Sequence, residues 1–190
     1  AARTIATTRN TEARVIIFAD GDGVDAESKR LRYIGVVYWD DNGTPSNAGD
    51  DFWKPANAGT YLPGGIYYVP SDGDTISASP DASGTLLRSD NLPEPVMTVS
   101  FPTERGQDQD DWYFYAFDGS GNARSTDATP NAPRSYAGQI VVLAAGRPSG
   151  DGETILVDNP YSAMGLAVRR IGGTMVLNEY GYIEDAQSAN

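Results

Sequence analysis

The chain of 190 residues contains no histidine and no cysteine. Without imidazole or thiol, Ser-His-Asp and Cys-His nucleophile pairs, His-ligated zinc and thiolate metal sites are excluded. Without cysteine there is no disulfide framework, and the redox compartment is not legible. Lysine is scarce too: Lys29 and Lys54 are the only two, and the remaining basic residues are arginines. The net charge of −12 argues against nucleic acid as a partner, because phosphate binding needs a clustered basic surface. No run approaches the roughly eighteen apolar residues of a membrane-spanning helix. No secretory signal pattern is present, which describes these residues and not a precursor. A chain of this length holds one sizeable core, and one domain is expected.

What is present begins with an abrupt junction. Residues 1–12 carry polar and basic side chains at close spacing, and Ala13-Arg14-Val15-Ile16-Ile17-Phe18-Ala19 follows as a β-branched and aromatic run. The first segment predicts a helix end and the second a buried strand. A helix of about twelve residues or fewer is marginal alone in water, so the helix is expected to continue upstream of Ala1. Arg3, Arg9 and Arg14 fall within this segment. A membrane-proximal helix end favours that bias, and a solvated helix face produces it equally.

Beyond residue 12 helix signals are scarce, and 21 glycines and 12 prolines punctuate short apolar runs. Strands are predicted over residues 31–39, 66–69, 96–101, 111–117, 137–145 and 153–157. A closing hairpin is predicted from Leu166 to Tyr180 across Gly172-Gly173. Residues 43–64 read as a loop tacked to the core by Phe52, Trp53, Tyr61 and Leu62. With roughly eight to ten strands and no alternating helices, a mainly antiparallel, all-β two-sheet sandwich is expected. It carries a short N-terminal helical stub, and the strand count also admits an immunoglobulin-like arrangement. Residues 1–12 are assigned to the helix end and 13–190 to a single sandwich domain.

The acidic loop Asp20-Gly21-Asp22-Gly23-Val24-Asp25 is the one metal candidate. Asp20, Asp22 and Asp25 offer the oxygen cluster that a hard cation such as calcium takes. The twelfth position of an EF-hand loop counted from Asp20 is Leu31, so an EF-hand is excluded. The alternative is a solvated acidic turn leaving the first strand. Asp40-Asp41 with Asp50-Asp51, and Asp108 with Asp110 and Asp111, read as solubility and strand-edge protection. A pair of carboxylates serves glycosidases, but none of the 26 acidic residues is singled out, and neither an enzyme nor a cofactor is expected.

Aromatic residues raise a second possibility. Trp39, Trp53, Tyr61, Tyr67, Tyr68, Trp112, Tyr113 and Tyr115 are candidates for a sugar-stacking platform. Aromatics equally fill the space between two sheets, and core packing is the preferred reading for Trp112 and Phe114. For Tyr113 and Tyr115 the two readings stay level. Tyr180-Gly181-Tyr182 reads as a tether for the C-terminal segment, and Asn42-Gly43-Thr44 matches a glycosylation acceptor.

The junction Ala2-Arg3-Thr4 through Thr8-Arg9-Asn10 into the strand 13–19 resembles that following the N-terminal helix of type IV pilin-like proteins. It is most similar to the minor pseudopilin H class of type II secretion, and pilin-like proteins of Verrucomicrobia are a further home. Phe117-Asp118-Gly119-Ser120-Gly121 resembles the strand-ending turn of that family. Gln139-Ile140-Val141-Val142-Leu143 resembles its later aliphatic strand, and residues 166–176 its closing hairpin. The likeness spans about half of the chain, and its strength lies in the order of the motifs. The family's cleavage site and apolar helix are not among these residues, and residues 41–64 and 70–95 are long insertions against its pattern. The resemblance implies a structural subunit without catalytic residues. It implies other pilin or pseudopilin subunits and assembly machinery as partners. It further implies a membrane anchor through an upstream helix, at the cell surface or in the periplasm. The alternative is a surface adhesin or carbohydrate-binding module with a host or glycan ligand.

Overall fold

The computed structural model describes residues 1–20, 25–41, 52–71, 73, 75–89, 96–102, 110–124, 139–150 and 154–188. The chain opens with α1 (Ala2–Arg9), β1 (Ala13–Asp20), the short α2 (Ala26–Lys29) and β2 (Tyr33–Asp40). It continues through β3 (Phe52–Pro55), β4 (Thr60–Tyr61), β5 (Ile66–Val69), β6 (Ile76–Ala78) and β7 (Val96–Val99). Next come β8 (Asp110–Phe117), β9 (Ala123–Arg124), β10 (Gln139–Ala145), β11 (Arg147–Pro148) and β12 (Ile155–Val157). The hairpin β13 (Met164–Val168) and β14 (Thr174–Leu177) leads into α3 (Tyr180–Ser188).

The fold is mainly antiparallel β and sandwich-like, as the strand pattern predicts. The main sheet has seven strands in the order β3-β2-β1-β8-β7, with β4 beside β2 and β9 beside β8. A second sheet, β14-β13-β10-β5, packs against one face of it, and a small third sheet, β11-β12-β6, joins the same body. The third sheet is an addition to the expected two layers, and its β12–β6 pair is parallel.

Period-2 alternation along β1 and β8 divides the core. Ile16, Phe18, Trp112 and Phe114 point to one side, where they pack with Met97, Val99 and Phe101. Ile17 and Tyr115 point to the other, towards Tyr68, Val141 and Leu143. Both faces of the central strands are therefore buried, which is why β1 reads as an unbroken apolar run. β7 shows the expected single buried face: Met97 and Val99 are buried, Val96 and Thr98 exposed.

Three elements differ from the sequence expectation. The predicted loop 43–64 contains β3 and β4, both on β2; Trp39 is Trp53's register partner, and their rings meet at 5.3 Å. The hairpin turn is five residues long, because Val168 pairs with Thr174 and Arg169 N–H donates to the Gly173 carbonyl (2.8 Å). The segment from Tyr180 forms helix α3, which buries Ile183 against Gly165 and Leu177. Tyr180 Oη donates to the Thr85 carbonyl (2.9 Å), and Gln187 Nε2 donates to that of Arg88.

Candidate functional site

Helix α1 is short but not free. Ala2 and Ala6 are buried against Ala13, Val36, Tyr38, Phe117 and Val168. Asn10 ends the helix in the left-handed conformation (φ 51°), a position asparagine tolerates better than most residues. The helix is seated by two turns. In the first, Asp118 Oδ1 accepts from the backbone N–H groups of Ser120 and Asn122 (both 2.9 Å), while Oδ2 meets Arg124 at 2.7 Å. Burial alone would raise the Asp118 pKa, but these backbone N–H groups and the Arg124 guanidinium together hold it below the ordinary aspartate value. The second turn is that of the β13–β14 hairpin, tied to the first by Ala123 N–H donating to the Arg170 carbonyl (2.8 Å).

Glycine is required in this seat. A Cβ on Gly121 (φ +79°) would lie 2.7 Å from Thr7 Cγ2, and one on Gly119 would lie 2.9 Å from the Asn10 backbone. One on Gly172 (φ +72°) would collide with the Gly121 carbonyl oxygen. The Phe117–Gly121 motif noticed in the sequence thus lies beside the N-terminal helix, 100 residues and more away in the chain.

Next to the seat lies an apolar cleft of about 440 Å³. Its lining comes from the main sheet (Val15, Ile17, Ile34, Tyr115), from the second sheet (Val141, Leu143, Leu166) and from the first turn of α1, Arg3 included. Arg3 is exposed, and among the described residues no acidic side chain pairs with it. Sequence reasoning missed this cleft, since its walls come from distant strands.

The acidic loop is only partly in view. Asp20 pairs with Arg30 (3.1 Å) and lies across the ladder from Asp111. Both line an open depression of about 540 Å³ with Ala19, Val96 and Tyr113. Asp25 precedes α2, where its carbonyl accepts from Ser28 Oγ (2.8 Å); Asp22 lies outside the described residues. Among the described residues no three His, Cys, Asp or Glu side chains are grouped to hold a metal ion. Asp40 pairs with Lys54 (2.7 Å), and Asp111 accepts from Thr98 Oγ1 (3.0 Å). Asp50, Asp51, Asp108 and the Asn42-Gly43-Thr44 pattern lie outside the described residues.

Four of the eight candidate platform aromatics are in the core. Trp112, Tyr67, Tyr68 and Tyr115 are buried, and the Tyr68 and Tyr115 hydroxyls hydrogen-bond at 2.9 Å. Trp39, Trp53 and Tyr113 are half-buried, and Tyr61 stands exposed on Tyr33, ring centroids 4.9 Å apart. Burial, and secondarily the neighbouring Tyr61 phenol, raises the Tyr33 pKa. The main departure is Arg14, which the sequence placed in a surface-like basic bias. It is wholly buried, 2.7 Å from Glu12 and between the rings of Trp53 (4.2 Å) and Phe114 (3.9 Å).

No protein-family model matches the chain, no curated protein is similar to it, and no solved structure matches its fold.

Proposed function

We propose that the chain is the globular domain of a non-enzymatic structural subunit that assembles through its N-terminal helix, in the manner of type IV pilin-like and pseudopilin filaments. The observation that supports this reading is the path of the chain from α1 into β1. The helix is seated on the main sheet by Ala2 and Ala6, and β1 is laddered on both sides, by β2 and by β8. A load entering through α1 is therefore carried by two ladders in parallel at the middle of the sheet. On this reading the partners are further pilin or pseudopilin subunits and their assembly machinery. The anchor is an upstream apolar helix, and the body is displayed at the cell surface or in the periplasm. Four of the eight aromatics that would have favoured glycan binding lie in the core, and of the rest only Tyr61 is exposed, which weakens the adhesin reading.

The encoded sequence preceding Ala1 is the test. A short basic leader followed by about twenty apolar residues is the expected result. A cleavable secretory signal ending just before Ala1 overturns the proposal. No cofactor is needed on this reading, and calcium titration checks the Asp20–Asp25 loop. A cation held there raises Tm as free calcium rises, whereas a solvated turn leaves it unchanged.

A further inference from the structure

We propose that the cleft between the main and second sheets binds one aliphatic chain bearing an anionic head, a fatty-acid-like carboxylate, with the head at Arg3. This does not depend on the filament reading. The first reason is incomplete cover on inward-facing residues. On β10 the back-facing Ile140 and Val142 are fully buried, whereas Val141 and Leu143, which face the main sheet across the cleft, are only half-buried. Val15 and Ile34 opposite them, and Leu166 beside Val141 on the same sheet, are half-buried too. Side chains placed as core are thus left in contact with an apolar space of about 440 Å³, within the roughly 300–1,000 Å³ range of small-molecule sites.

The second reason is the backbone. The cleft is lined mainly by β1, β2, β8, β10 and β13, each of which is paired with strands on both sides, and the edge strand β14 contributes only Thr174 at its start. The doubly paired strands have no free ladder to offer a peptide, which would bury its own amide groups unsatisfied against them at a cost of several kcal/mol. An acyl chain has no such groups. The third reason is charge. In a chain of net charge −12, no Asp or Glu is among the described residues lining the cleft, where the one ionised side chain is Arg3, with no acidic partner among the described residues. An anionic head meets the attraction of Arg3 there.

The test is displacement of 1-anilinonaphthalene-8-sulfonate fluorescence from the whole chain by dodecanoate and by dodecanol, below micellar concentrations. Dodecanoate should displace the dye saturably at one per chain and outcompete dodecanol by up to about fivefold, the size of an exposed ion pair. Arg3→Glu, at an exposed position, should erase that preference while leaving dodecanol affinity in place. Leu143→Trp should fill the cleft and abolish both, with circular dichroism confirming the fold; if it unfolds, the Arg3→Glu comparison still decides. Absence of saturable displacement, or a preference untouched by Arg3→Glu, overturns the proposal. So does a concentration-dependent dimer in sedimentation that competes with dodecanoate, since a second copy would then cover the cleft. None of these outcomes bears on the sequence upstream of Ala1, so the two proposals fail separately.

Discussion

Arg14 and Glu12 show how a charged pair is tolerated in a core. The guanidinium lies between two aromatic faces and 2.7 Å from the carboxylate, so charge and flat surface are both matched. Removing one member of a buried pair is costly, whereas replacing both by apolar groups can be nearly neutral. Glu12→Ala should therefore destabilise by about 3 kcal/mol or more, and the double variant Glu12→Leu/Arg14→Met should recover most of the loss in urea unfolding. Asp118 makes a separate prediction. Its folded pKa is depressed below the ordinary aspartate value, so its contribution is full above the unfolded-state value. That contribution is lost as pH falls through the folded one. Asp118→Asn retains an oxygen for the two backbone donors and loses the Arg124 ion pair. It should cost about 1 kcal/mol at neutral pH, and its stability curve should converge on the parent's in strong acid.

Among the elements, α1 depends most on what surrounds it. Eight residues do not hold a helix in water; burial of Ala2 and Ala6 and the two glycine-built turns stabilise it. Gly172→Ala introduces both a strained positive φ and a clash with the Gly121 carbonyl, so a loss above about 1 kcal/mol is expected. Hydrogen exchange should then accelerate over residues 2–9 before it does over β1. Equal acceleration in both would show that the seat and the sheet are one unit. At this scale the sequence was legible where local chemistry decides: the one-sided burial of β7 and the buried Trp112–Phe114 face of β8 follow from alternation, whereas Tyr115 on the other face is buried only by the second sheet. It was not legible for β3 and β4, whose few residues take their state from pairing with β2, nor for α3, whose helix is set by Ile183 reaching Gly165 on another element.

At the scale of the molecule the main sheet is the shared wall of both halves of the core. Ile16 and Ile17 are neighbours in β1, yet they serve clusters on opposite faces. Loss of one face exposes the back of the other, so a single cooperative unfolding transition is expected, with tryptophan fluorescence and far-UV circular dichroism coinciding. Trp112 is wholly buried beneath Phe18 and Phe101 (ring centroids 5.2 and 5.3 Å). Trp112→Ala should cost roughly 3–5 kcal/mol without separating the two signals.

By itself the sequence determined the class of the fold, the strands whose apolar period is strong, the helix-to-strand junction, and the exclusion of histidine and thiolate chemistry. These depend on residue type and near neighbours, which a one-dimensional chain displays. Only the tertiary structure decided which turns seat α1, that Arg14 is a core residue, that Tyr67, Tyr68, Trp112 and Tyr115 are internal, and that an apolar cleft lies beside Arg3. Each joins residues far apart in sequence, and their proximity comes from strand pairing and sheet packing, which no local pattern encodes.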